Sequence, residues 1–408
     1  MDQQVTLEEF GVAPGTEEVS FRDLVPEIST TYGSHGMYYY PARFIPQVVR
    51  WFILKYTSVG DWIVDPFAGS GTVGVEALAT GRSAICIDLN PIIKPLLEAK
   101  TYTGPLPEKE VYLRGLRGGS QSFEPRWSRI RYWYPAEILS VLERLWGAYY
   151  ERRHPLVLIA LFRTSRRFSY ADEQIPKICR TRRKIDEIEK ILTEDYGSLI
   201  ESYFVDALEK VCRASLEFRE HYRGGECVAI AADILNYELE RDVDHLLTSP
   251  PYGRAHEYIR SFKLELAWLG YGDGEITELT RKEIPYRSDV PDAEILSRTY
   301  KRFRRLVGEK SSKLLREYDA YFKAVVAALE KIASRVREYV GIFVGNATYG
   351  GITPPYDAIF VEHFESLGFK HVRTYVDAIK SRKLFRGRKN VSPNGIGAES
   401  LVVLKAKA

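Results

Sequence analysis

Cysteine is scarce and scattered in this chain. The four residues, Cys86, Cys179, Cys212 and Cys227, form no C-x-x-C pair, which excludes a zinc ribbon and a disulfide scaffold. Cys86 sits inside an apolar run and reads as core. No run of about 18 apolar residues occurs, and Met1-Asp2-Gln3-Gln4 has neither the basic start nor the apolar core of a secretory leader. The expectation is a soluble cytoplasmic protein with no membrane association. A large excess of one charge is also missing. The formal net charge of +3 is too small to assign nucleic-acid binding until its distribution is known. His154, His245 and His256 lack metal-ligand spacing, so no metal is expected. Asn, Gln and Met are sparse beside Arg, Lys and Glu, a thermophile-like balance.

What is present is globular. At 408 residues, with 45% hydrophobic and 12% aromatic content, the chain can bury one large core and a subsidiary domain. Its organising stretch is Ile63-Val64-Asp65-Pro66-Phe67-Ala68-Gly69-Ser70-Gly71-Thr72. An apolar run stops at an acid and a proline, two glycines follow, and a helix-compatible segment starts at Val73. This is a strand, a tight turn and a helix, a natural nucleotide cradle. Gly69, Gly71 and Gly74 fit G-x-G-x-x-G, and Asp88 closes the next apolar strand where a ribose-binding acid belongs, so a dehydrogenase is one reading. The Asp65-Pro66-Phe67 entry favours a second. It places a carboxylate and a ring where a pyrophosphate needs bare backbone, and a cationic, phosphate-free ligand suits the acid better.

Residues 1–30 read as an acidic, irregular and flexible arm. His35 to Pro46 is rich in aromatics and leads into an amphipathic helix through Tyr56. Strands near 62–64 and 84–87, each followed by a helix, give a β-α-β-α start. From 104 to 226 the alternation stops and the pattern is helical, too long for a loop, which predicts an inserted domain. Within it, residues 151–184 carry ten Lys or Arg against three acids. Arg163, Arg166, Arg167 and Lys177 alternate there with Phe162, Phe168 and Tyr170, and Arg126 to Tyr134 has the same mix. Basic residues interleaved with stacking rings suit phosphate and base contact, although one such cluster also describes a solvated helix face. Further strands are expected near 227–231, 243–247, 339–344, 372–376 and 400–405. Lys380 to Lys389, with Arg386, reads as a basic loop near nucleic acid.

The strand at 243–247 runs into Ser249-Pro250-Pro251-Tyr252. Two prolines fix φ and remove two N–H donors, leaving carbonyls free to face a cleft beside the tyrosine ring. Asp65 to Thr72 resembles the D-P-F-x-G-S-G-T motif of amino methyltransferases that use S-adenosylmethionine. With Ser249 to Tyr252 the chain resembles the N-4/N-6 DNA methylases, in particular the cytosine-N4 branch that carries S-P-P-Y. The resemblance covers residues 35–101 and about 227–270. Many cytosine-N4 enzymes place the two motifs in the opposite order.

The resemblance implies an α/β fold: a seven-stranded, doubly wound, Rossmann-like methyltransferase sheet. Residues 31–103 and 227–408 would form the catalytic domain, and 104–226 a mostly helical target-recognition domain. It implies a prokaryotic DNA methyltransferase acting on cytosine N4 in duplex DNA, with a cognate restriction endonuclease as possible partner. Adenine-N6 methylation, RNA guanine-N2 or cytosine methylation, and a non-catalytic DNA-binding module are the alternatives. Ser249 Oγ and the Pro250 carbonyl would accept the amine's N–H groups, Pro251 would shape the wall, and Tyr252 would stack on a base that has left the duplex. For the donor, Asp88 would take the ribose hydroxyls and Asp233 the adenine amine. Phe67, Gly69, Gly71 and Thr72 would pack the methionine portion, with Tyr40 and Pro41 lining that end. Asp65 would orient the turn or face the ammonium group. No Pro-Cys dipeptide offers the thiolate that ring-carbon methylation uses.

Overall fold

Three apolar runs ending in Asp65, Asp88 and Thr248 become parallel strands, and their order in the sheet fixes where a ligand can sit. The computed structural model describes residues 15–21, 23–26, 29–115, 117, 121–254, 257–378 and 398–407. Strand β1 (Thr16–Glu18) and a 3-10 turn at Gly33–Gly36 precede α1 (Pro46–Tyr56), which starts on a proline whose missing N–H costs a first helical turn nothing. Then come β2 (Trp62–Asp65), α2 (Thr72–Ala79), β3 (Ser83–Asp88) and α3 (Ile93–Lys100). The insertion contributes α4 (Lys109–Arg114), α5 (Ile130–Trp133), α6 (Ala136–Glu151), α7 (Pro155–Arg167), α8 (Arg182–Leu192) and α9 (Tyr196–His221). Beyond it lie β4 (Cys227–Ala231), β5 (Val243–Thr248), α10 (Tyr258–Ser261), α11 (Lys263–Trp268), α12 (Asp273–Lys282), α13 (Arg298–Lys310) and α14 (Ser312–Ala333). The chain closes with β6 (Val336–Gly345), α15 (Tyr356–Ser366), β7 (Lys370–Ala378) and β8 (Ala398–Lys405).

The strands form one sheet in the order β1-β7-β8-β6-β5-β2-β3-β4. β8 runs antiparallel to both neighbours, and the other pairs are parallel. From β2 the chain moves outward through β3 to β4, then returns to β5 and moves outward the other way. The order therefore reverses between β2 and β5, and ligands of such sheets bind outside the carboxyl ends at that crevice. This is a doubly wound, Rossmann-like sheet. All seven expected strands are present, with an eighth, β1, inside the segment that the sequence predicts to be irregular. Thr16, Glu17 and Glu18 pair with Thr374, Tyr375 and Val376. Three polar residues give no apolar alternation, so only the exposed edge of β7 orders them. The stretch after the S-P-P-Y turn forms two helices, α10 and α11, because Phe262 between them leaves helical geometry at φ −114° and ψ 15°.

Helices α1 and α2 cover one face, where Val48, Phe52, Val73 and Leu97 pack beneath Phe343. Helices α13 to α15 cover the other, around Tyr318, Phe322 and Phe360. The helices of residues 104–226 share a third core with Tyr38, Tyr40, Leu96 and the 259–276 segment. At its centre Trp146 and Trp268 stack 5.2 Å apart with ring planes 7° from parallel. This contact ties the inserted helices to the segment that follows Ser249–Tyr252.

Candidate active site

The glycine turn is held by side-chain hydrogen bonds from two directions. Gly69 and Gly71 take φ of 51° and 75°, a region that costs other residues about 1–2 kcal/mol. A Cβ on Gly71 would lie 2.6 Å from Leu97 Cδ1, so close packing as well as backbone sign requires glycine. Asp88 Oδ2 accepts the Gly69 N–H at 2.7 Å, and its Oδ1 accepts the Asn90 N–H at 2.8 Å. The fully buried Lys100 donates to the Ser70 carbonyl at 2.8 Å.

The second motif joins the first side by side. Strands β2 and β5 are neighbours, with Val64 opposite Leu246, and Thr248 Oγ1 donates to Asp65 Oδ1 at 2.6 Å. Tyr252 donates to Glu399 Oε1 at 2.8 Å. A Cβ on Gly253 would stand 2.4 Å from Tyr356 Oη and 2.6 Å from Tyr349 Oη, two buried hydroxyls bonded to each other at 2.9 Å. The S-P-P-Y turn therefore rests on a tyrosine floor that only glycine fits.

Between the two turns lies a partly open cleft. Of the residues expected from the sequence, Tyr40, Phe67, Gly69, Asp88, Asp233, Ser249 and Pro251 line it. Pro41, Asp65, Gly71, Thr72, Pro250 and Tyr252 stand behind or beside that lining. Thr72 is buried with its hydroxyl near Ser70 Oγ and the Phe44 carbonyl. Ser249 is half-buried, and its hydroxyl makes no hydrogen bond among the described residues.

Asp233 differs from expectation. Arg287 Nη1 and Nη2 reach its two oxygens at 3.1 and 3.2 Å, and the Leu235 N–H and Asn236 Nδ2 take further lone pairs. A carboxylate has about four acceptor sites. Here they are filled, leaving none for an adenine amine. The task of Asp233 is to hold Arg287, and through it the Lys282–Ile284 wall of the cleft.

Three acids give the cleft its electrostatic character. Burial pushes Asp65 up to about 7 against the bonds from Thr248 and Phe67. It pushes Asp88 up to about 6 and Glu283 up to about 7. Such acids favour a cationic ligand, whose charge offsets the desolvation that raises them. Glu283 lies in a polar stretch with no recognisable motif, and its Oε1 accepts the Ile259 N–H at 3.1 Å. Also unforeseen is Glu76 on α2, fully buried, which receives Tyr32 at 2.5 Å, His35 at 2.6 Å and Arg50 at 2.6 Å. Burial raises its pKa, but these partners outweigh burial and leave it lowered. This cluster pins the segment before α1 to the helix after the glycine turn.

Three of the four basic residues that the sequence places on nucleic acid within the insertion turn inward, a correction to their expected role. Arg163 donates to the Met37 carbonyl at 3.0 Å, and Arg166 to Ser261 O and Glu265 Oε1 at 3.0 Å each. Arg167 pairs with Glu187. Their carboxylate and carbonyl partners lie in the helical core, which draws the cations off the surface. Lys177 is exposed and pairs with Glu257 at 2.8 Å. Arg386 and the basic loop around it lie outside the described residues. No cluster of three or more metal-ligating side chains occurs among the described residues.

Comparison with known proteins bears on this geometry. Residues 21–99 match a family model described as DNA methylase, covering N6 and N4 enzymes. Over those residues the chain is similar to the N6/N4 DNA methylase family. It is 23% identical over 414 residues to the type II methyltransferase M.MvaI of Kocuria varians, covering 91% of this chain and 89% of that protein. It is 41% identical over 78 residues to M.MjaII of Methanocaldococcus jannaschii, a match to 19% of this chain and only 15% of that relative. Among solved structures it is similar to the rRNA methyltransferase aviRa of Streptomyces viridochromogenes, at 11% identity and a TM-score of 0.36 over 95% of this chain and 96% of that one. The matched stretch contains Tyr40, the glycine turn, Asp88 and the Glu76 cluster.

Proposed function

We propose that this chain methylates an exocyclic amino group of a base in duplex DNA, with cytosine N4 as the target, as the modification partner of a restriction endonuclease. The observation that carries the reading is the Thr248–Asp65 hydrogen bond at 2.6 Å, which locks an S-P-P-Y turn against a glycine-turn cleft. S-adenosylmethionine fits the residues present. The acids at 65, 88 and 283 suit a cation, and the turn at Gly69 is closed by Tyr40, whose ring a Cβ there would meet at 3.2 Å. Bound there, the donor supplies a methyl group on a positively charged sulfur.

The chain's own residues act by position. Asp88 binds the ribose hydroxyls while keeping the turn's N–H groups on its own oxygens, and Tyr40 and Phe67 exclude water from the methionine end. An exocyclic amine is a poor nucleophile because its lone pair is delocalised into the ring. The free Ser249 hydroxyl accepts one N–H, the Pro250 carbonyl accepts the other, and together they favour a pyramidal nitrogen. The Tyr252 ring, anchored through its hydroxyl to Glu399, packs on the base outside the duplex. The serine in place of an acid or amide before Pro-Pro-Tyr supports cytosine over adenine. Label transfer from tritiated donor to unmethylated DNA, and not to total RNA, with loss in Ser249→Ala at unchanged donor affinity, tests the reading. Label in RNA alone overturns it.

A further inference from the structure

With Arg163, Arg166 and Arg167 turned inward, other cations must meet a duplex, and two groups stand on the cleft rim. On one bank, Glu257 holds Lys177 at 2.8 Å and Arg260 at 3.1 Å. Lys263 beside them is half-buried, and burial together with the neighbouring charges of Arg260 and Arg129 lowers its ammonium. The other bank begins directly after Tyr252. Arg254 pairs with Glu317 at 3.2 Å and donates to the Thr348 carbonyl at 3.1 Å. Glu317 lies on α14, which runs down into the start of β6, so its first turns stand at the carboxyl ends of the strands, where the cleft opens. Lys310 and Leu314 flank Gly350 of the adjoining loop. Lys310, Lys313 and Arg316 are exposed and form no ion pair among the described residues.

Tyr286 stands between the banks. It follows the cleft-lining Glu283 and Ile284, and 51% of it is exposed. Partial burial raises its hydroxyl pKa, Glu257 of the first bank and Glu283 raise it further, and Arg254 of the second opposes them. Its near neighbours are thus on both sides of the opening.

We propose that the duplex lies across the cleft mouth between Lys177, Arg260 and Lys263 on one side and Lys310, Lys313 and Arg316 on the other. Tyr286 stacks on the base pair beside the one that the target base leaves. Cations on both sides meet the phosphates flanking the opening, and an exposed ring fills the gap in the stack. This placement rests on the DNA methylation reading.

The test uses the whole protein and a fluorescein-labelled duplex of mixed sequence, titrated between about 50 and 200 mM salt. Each lost phosphate contact reduces the salt slope by about 0.9, so Lys310→Ala/Lys313→Ala/Arg316→Ala loses about 40-fold less affinity over that range than the parent. The same charge removed from the first turn of α13, at Arg298, Lys301 and Arg302, leaves the slope unchanged. Tyr286→Ala lowers methyl transfer into duplex genomic DNA roughly tenfold more than into heat-denatured DNA, which needs no extrusion, and Tyr286→Phe restores the ratio. A parental slope in the α13–α14 elbow variant, or equal loss on duplex and denatured DNA, overturns the placement while leaving the parent's methylation of DNA intact. A parent that neither binds duplex nor methylates it overturns the function along with the placement.

Discussion

Asp88 offers the sharpest pH-dependent test of the donor site. Its carboxyl titrates at about 6 because it is buried, so roughly a tenth is ionised at pH 5 and nine tenths at pH 7. Hydrogen bonds to a charged acceptor contribute about 1.5–3 kcal/mol, against about 0.5–1.5 for a neutral one. The Asp88 contribution to affinity for a ligand whose ribose hydroxyls donate to this carboxylate should therefore rise about tenfold from pH 5 to pH 7 and then level off. Asp88→Asn keeps the shape but not the charge, so it should lose this part of the rise, and the pH dependence left in it belongs to Asp65 and Glu283 at about 7. The ligand-free protein should show the opposite trend. The folded value lies above the ordinary 3.8, so between pH 4 and 6 the native chain binds more protons than the unfolded one. The contribution of this group to stability is then present at low pH and falls by about 3 kcal/mol as pH rises through that window. Calorimetric titration with S-adenosylhomocysteine from pH 5 to 8, beside urea unfolding of both proteins, measures both trends. A flat parental binding profile, or Asp88→Asn binding as well as the parent at pH 8, refutes the assignment.

Other outcomes follow from contacts elsewhere in the site. Gly253→Ala forces a Cβ against the Tyr349–Tyr356 hydroxyl pair and should cost about 1–3 kcal/mol in chemical unfolding. Its kcat should fall while donor affinity is retained. Ser249→Ala should lower kcat by about 10²- to 10³-fold, as loss of one pre-organised partner of a reacting group does, with donor affinity within about twofold. Glu76→Gln removes the one carboxylate shared by Tyr32, His35 and Arg50 and should destabilise the protein by about 3–5 kcal/mol; an unchanged unfolding midpoint would show the cluster to be dispensable. Arg287→Ala should release Asp233 and loosen the Lys282–Ile284 wall, weakening donor binding, and it should do so less in an Asp233→Asn background because the two share one interaction.

The sheet was legible because its central strands are short apolar runs stopped by chemistry: Asp65, Asp88 and Thr248 each mark a carboxyl end in sequence and in space. Local signals of that kind survive folding. β1 was illegible because Thr16–Glu18 pairs with residues some 360 positions away, and nothing in three polar residues announces a partner. The same limit explains Asp233, which reads as a strand-terminal ligand acid until Arg287 arrives from a distant loop. Arg163 and Arg166 show the converse. A basic, aromatic-rich helix looks alike whether its cations meet phosphate or Glu265, and only the tertiary contact with 261–265 decides. Glu283 and Tyr286 sit in a stretch with no periodicity, where sequence offers composition but no direction.

The amino methyltransferase reading is tested most directly by nucleoside mass spectrometry of unmethylated genomic DNA after incubation with the purified protein and tritiated S-adenosylmethionine. N4-methylcytosine carrying the label is the expected product. N6-methyladenine would contradict the target base while leaving the donor site standing, and the absence of labelled nucleoside in DNA, with donor binding intact, would contradict the activity itself.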